Sequence, residues 1–118
     1  MRAVLSALIL SGALLAPSFA IGANYVPLDC TKARSPADLT ICGTYVLGQA
    51  EARMATLFYI ATSLVSMGQR GAIHDQQAQW LKTREACGND VPCLTAAYQT
   101  RIGQLDRVIE DIASRGPY

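Results

Sequence analysis

From position 45 to 67, apolar residues return every three or four places: Leu47, Ala50, Met54, Leu57, Phe58, Ala61, Leu64 and Val65. That spacing lays one apolar stripe along a helix and predicts the longest element of the chain. Gly68 and Gly71 then bracket Gln69 and Arg70, which reads as a turn with a left-handed cap. A second stripe runs from about Ala72 to Ala86 through Ile73, Gln77, Trp80, Leu81 and Arg84, and Gly88 ends it. Asn89 and Asp90 before Val91 and Pro92 supply a cap acceptor and an early proline, the start of a last helix. Along it Leu94, Ala97, Tyr98, Ile102, Leu105, Val108, Ile109 and Ile112 fall in register, and Gly116 and Pro117 close it. Upstream, residues 24–35 keep no period and read as an irregular arm leading into a helical turn or two. Ser35, Pro36 and Asp38 then offer a cap, a first-turn proline and an acid at the third position, predicting a short helix from Pro36 to Cys42 that Gly43 ends or bends. No stretch alternates as a strand does. The expected fold is all-α: a small antiparallel bundle of three main helices plus a short N-terminal one.

The first twenty residues follow a different pattern. Arg2 precedes an apolar run from Ala3 to Leu15, followed by Pro17, Ser18 and Ala20. This is the layout of a secretory signal peptide. The run breaks at Ser11, Gly12 and Pro17, short of the roughly 18 residues a membrane span needs. Cleavage after Ala20 is expected, with Ala23 as a second small-residue option, leaving a helical domain over 24–118. Cys30 follows Pro27, Leu28 and Asp29 rather than small residues, so no lipid anchor is expected. The protein should be periplasmic or secreted.

Export changes the meaning of the cysteines. All four, Cys30, Cys42, Cys87 and Cys93, lie in the mature part, where an oxidising compartment favours disulfides. Zinc would want close-spaced pairs of reduced thiolates, and spacings of twelve and six residues do not supply them. Three pairings are open. Cys30 with Cys42 and Cys87 with Cys93 is preferred, because each bridge then joins neighbouring segments. Charge adds an exclusion: of ten Lys and Arg only Arg2 lies in the leader, so nine basic residues face nine acidic ones in the mature chain. No basic excess marks a nucleic-acid partner.

The candidate chemistry is sparse. Glu51, Arg84 and Arg101 fall on or beside the apolar faces of three helices, where they would meet inside the bundle as a packing and register device. His74 is the single histidine and is expected at the surface, beside Asp75. Trp80 is expected in the core, although tryptophan is also common at binding hot spots. No base, nucleophile and oxyanion donors converge in the pattern, so neither an enzyme nor a metal or cofactor site is expected.

Several of these residues form a recognisable series. Asp29-Cys30, Ala33, Ile41-Cys42, Leu47 and Glu51 are followed by Gln77, then Trp80-Leu81-x-x-Arg84-x-x-Cys87 and Cys93-Leu94-x-x-x-Tyr98-x-x-Arg101, with Leu105 behind. This series resembles the lysozyme-inhibitor LprI-like family of exported bacterial proteins over nearly the whole mature chain. Ala50, Glu51 and Phe58 stand where that family more often shows leucine, aspartate and tyrosine. The resemblance implies a helical, disulfide-bonded envelope domain that binds and blocks lysozyme, with Asp29, Glu51, Trp80, Arg84, Tyr98 and Arg101 as structural motif residues. Lysozyme cuts between two carboxylates in a cleft, so a cation or hydrogen-bond donor on a loop would suit an inhibitor. Lys32 and Arg34 in the arm, and Gln69 and Arg70 in the glycine-bracketed turn, are the candidates. The alternative expectation is a periplasmic adaptor that binds another envelope protein through a helical face, without inhibition.

Overall fold

A computed structural model describes residues 25–116, so the leader and its cleavage site lie outside the described residues. The elements run in the order of a 3₁₀ turn (Cys30–Lys32), α1 (Pro36–Gly43), α2 (Tyr45–Leu64), α3 (Met67–Ala86) and α4 (Val91–Ser114), with no strand among the described residues. The fold is a small all-α bundle.

Local chemistry explains most of the boundaries. Ser35 Oγ accepts from the Asp38 N–H, and Pro36 stands in the first turn of α1, where its missing N–H costs nothing. Asp90 caps α4 in the same way, accepting from the Cys93 N–H. Between them, Gly88 takes a φ of +56°, a left-handed turn that a side chain would strain.

The helices pass up, down and up. Met54 and Phe58 on α2 meet Gln77 and His74 on α3 in antiparallel order, and Trp80 and Gln77 meet Ala97 and Arg101 in antiparallel order across α3 and α4. α2 and α4 therefore run parallel, and they form the most extensive pair in the bundle. On its surface Arg53 bonds Asp106 at 3.0 Å. The shared core contains Ile41, Leu47, Met54, Phe58, Ile73, Trp80, Leu94, Tyr98 and Leu105.

Cys30 is bonded to Cys42 and Cys87 to Cys93, the pairing preferred from the sequence. The first bridge ties the arm to α1, and the second spans the α3–α4 turn. Given the up-down-up path, both sit at the end where α2 starts, α3 finishes and α4 starts.

Four expectations need correction. The Gly68–Gly71 segment is not a turn. α2 stops at Leu64 and α3 begins at Met67, so the chain reverses through Val65 and Ser66, and Gln69 and Arg70 are helical. Val65 is buried, which is why its side chain continued the apolar period past the true end of α2. The longest element is α4, at 24 residues, rather than α2 at 20. His74 is half-buried, its ring edge-on to Phe58 at 5.1 Å. Finally, Arg101 does not join Glu51 and Arg84; its guanidinium meets Gln77, Gln104 and the Ile73 carbonyl instead.

Candidate functional site

The stapled end of the bundle gathers most of the motif residues around one carboxylate. Glu51 is buried on α2. Its Oε1 accepts from the Tyr25 hydroxyl at 2.7 Å and the Leu28 N–H at 3.0 Å, and its Oε2 accepts from the Tyr98 hydroxyl at 2.6 Å. Arg84 Nη1 stands 3.5 Å from Oε2. One side chain thereby joins the arm, α2, α3 and α4. A buried carboxylate needs this degree of satisfaction, since each missing partner leaves a desolvated oxygen.

Arg84 extends the network to α1. Its Nη2 donates to Asp38 Oδ1 and to Glu85 Oε1, both at 2.8 Å, and its guanidinium lies 5.8 Å from the centre of the Trp80 ring. Its Nε is buried and has no hydrogen-bond partner among the described residues. Trp80 in turn donates from Nε1 to the Ala97 carbonyl at 2.8 Å and meets the Tyr98 ring edge-on. Burial, then the neighbouring Glu51 charge, push both the Tyr25 and Tyr98 hydroxyls far above the ordinary tyrosine value, so both remain donors. Glu51, Trp80, Arg84 and Tyr98 are thus consumed in building the bundle.

Arg101 belongs to a separate group. It lies one turn beyond Tyr98 on α4, and Tyr98 already occupies the position facing Glu51. Its Nε donates to Gln77 Oε1 at 2.7 Å, Nη1 to Gln104 Oε1 at 3.0 Å and Nη2 to the Ile73 carbonyl at 3.2 Å. Gln77 Nε2 faces the Met54 sulfur at 3.2 Å. The sequence indicated that Arg101 was internal but not which helix would receive it. That depends on how far α3 slides along α4, which no spacing encodes.

The candidate contact residues divide between two places. Asp29 caps the 3₁₀ turn through the Thr31 N–H, and Lys32 pairs with Asp29 at 3.5 Å on the exposed surface, where such a pair is worth little. Arg34 is exposed in the same arm. The Cys30–Cys42 bridge fastens this arm to α1, three residues before α2 opens with Tyr45 and Val46, which are 80% and 62% exposed. Leu39 on α1 is also exposed. This apolar corner was not anticipated. Its signal was the run of large side chains at Tyr45 and Val46, lying off the apolar stripe that starts at Leu47. Gln69 and Arg70 lie at the opposite end, in the opening turns of α3, where Arg70 Nε donates to the Thr62 carbonyl at 2.6 Å. They are therefore not brought together with Lys32 and Arg34.

No helix among the described residues is long and apolar enough to cross a membrane, and two disulfides are consistent with a periplasmic or extracellular location. Comparison with known proteins finds no family model, no curated protein and no solved structure that matches this chain.

Proposed function

We propose that the chain is an exported cell-envelope protein that binds and blocks lysozyme through its stapled end. Export is supported by the leader-like first twenty residues and by the two disulfides. The lysozyme reading rests on the residue series from Asp29 to Leu105. The observation that carries a contact at this end is the corner itself. Exposed Leu39, Tyr45 and Val46 lie within four residues of Cys42, whose disulfide ties on the arm bearing Lys32 and Arg34, in the part of the molecule that also carries an internal ion network. Aromatic and arginine side chains on a pre-ordered surface are the usual anchors of protein interfaces, because little freedom is lost when they dock. A cation from the arm would meet the paired carboxylates of a lysozyme cleft. Arg70 is the weaker candidate, since its Nε is already committed to Thr62.

Purified mature protein, tested against lysozymes of several types for binding and for protection of cell-wall suspensions, examines this directly. Inhibition that falls at least about tenfold in Arg34→Ala or Tyr45→Ala, with helicity unchanged, is the expected result. Absence of both binding and protection would overturn the proposal and leave the adaptor role.

A further inference from the structure

Arg101 is only 1% exposed, yet each of its acceptors is neutral. Among the described residues no carboxylate pairs with it. Burial alone pulls its pKa down, as expected for a cation taken out of water without a counter-charge. A guanidinium stays protonated under such conditions, so the charge is present and uncompensated. One acceptor differs from the others: Gln104 is an exposed side chain, and it lines a groove of about 1000 Å³ between α3 and α4.

That groove is mostly apolar in depth and fringed by amides and hydroxyls, with Gln76, Gln79 and Thr83 on the α3 side and Thr100 and Gln104 on the α4 side. Ala86 and Ala96 line it near the Cys87–Cys93 bridge, where small side chains permit close approach. Its walls follow α3 from Gln69 to Cys87 and α4 from Cys93 to Asp111. At about 1.5 Å per residue this is roughly 27 Å, or five helical turns. Its charges are unbalanced. Asp111 is engaged by Arg115, whereas Arg107 has no carboxylate partner among the described residues. Arg107 therefore stands at the groove wall, and Arg101, which does not itself line the groove, is linked to it by its hydrogen bond to the lining Gln104.

We propose that this groove docks an acidic amphipathic helix of a partner protein. One carboxylate displaces the Gln104 amide and pairs with Arg101, and a second meets Arg107. The apolar face of the helix lies along the α3–α4 floor, as helices seat in grooves elsewhere. The surface is distinct from the Tyr45 corner and does not depend on the lysozyme reading.

The test uses Trp80, the only tryptophan of the chain, which lines the groove and reports its occupation by fluorescence. The probes are a helical Ala/Leu peptide of about 18 residues with two glutamates one turn apart, its Glu→Gln counterpart, and an equally acidic peptide broken by prolines. The glutamate helix is expected to bind at least about tenfold more tightly than the other two. Gln104→Glu, an exposed change that supplies the carboxylate from within the chain, should raise the thermal midpoint and weaken the glutamate helix at least about tenfold. Arg107→Ala should weaken it as well. Equal affinities for the three peptides, no binding by any, or a Gln104→Glu variant that changes neither midpoint nor affinity would overturn the proposal.

Discussion

The bundle buries two arginines and treats them in opposite ways. At the stapled end, Arg84 sits among Asp38, Glu51 and Glu85, with Tyr25 and Tyr98 completing the carboxylate shell and two disulfides close by. Toward the α2–α3 connection, Arg101 has two glutamine oxygens and a main-chain carbonyl, and no disulfide. The first cation finds its carboxylates within the chain and leaves only its Nε without a hydrogen bond among the described residues. The second is satisfied in hydrogen bonds and unsatisfied in charge. A buried ion gains stability only when paired, so the stapled end should respond to loss of a single partner far more than the opposite half does.

The largest effect is expected from breaking the ion-paired network. Arg84→Met leaves Asp38 and Glu51 without their cation, and should cost about 3–5 kcal/mol in urea unfolding. Glu51→Gln should also be strongly destabilising, since it leaves Arg84 short of a charge and turns an acceptor into an amide facing a tyrosine hydroxyl. A loss below about 1 kcal/mol for Arg84→Met would place the network among exposed ion pairs and end the contrast.

The disulfides come next. Replacing Cys30 and Cys42 by serine should cost about 3 kcal/mol, and Cys87 with Cys93 about 2 kcal/mol, following the lengths of the closed loops. Both losses should appear as faster amide exchange at the α1–α2 and α3–α4 corners while the α2–α3 connection is unchanged. Uniform acceleration across the bundle would show that the two ends are not separable.

Much of this arrangement is legible in the sequence, and where it is not, the cause is specific. The helices follow from periodicity and from the caps at Ser35 and Asp90, and the bridges from the short loops they close. The α2–α3 turn was hidden because Val65, an apolar residue, fills the core at the reversal, while Gly68 and Gly71 look like turn residues although they sit in a helix. Ser66, the actual cap position, was the available signal, but its side chain makes no cap hydrogen bond. Glu51 and Arg84 were identifiable as partners because charged residues on apolar faces must find each other. Arg101 met the same criterion and found amides instead. Pattern reports that a residue is inside; helix offset decides what it meets.

Arg101→Met should accordingly cost clearly less than Arg84→Met, about 1–2 kcal/mol, because an apolar side chain of similar length removes an unpaired buried charge and orphans the buried Gln77 oxygen, while the exposed Gln104 amide can turn toward water. The comparison with Arg84→Met, the same substitution in the same assay, is the sharpest available. Equal losses would mean that neutral acceptors compensate the guanidinium fully, and would remove the physical basis for an acidic occupant of the groove.

The smallest effect is a pH slope, and it lies within the stapled end. Burial pushes the Asp38 carboxyl above its ordinary value of 3.8, with Arg84 pulling it down and Glu85 pushing it up. Glu85 goes the other way: burial would raise it, but the hydrogen bond donated by Arg84, with the Ser35 hydroxyl and the Arg84 charge beside it, holds it below its ordinary value of 4.5. The stability Glu85 supplies is therefore complete above its unfolded value and lost as pH falls through its lower folded one. Asp38 binds a proton more readily folded than unfolded, so its protonation favours the fold as pH falls through its raised value. The two slopes oppose each other between about pH 3 and 5. Removing Asp38 in Asp38→Asn should leave the Glu85 slope exposed, making acid loss of stability steeper than in the wild type. Glu85→Gln should make it flatter or reverse it. Urea midpoints measured at half-unit pH steps check both, and the opposite ranking of the two variants would show that Arg84 favours Asp38 over Glu85.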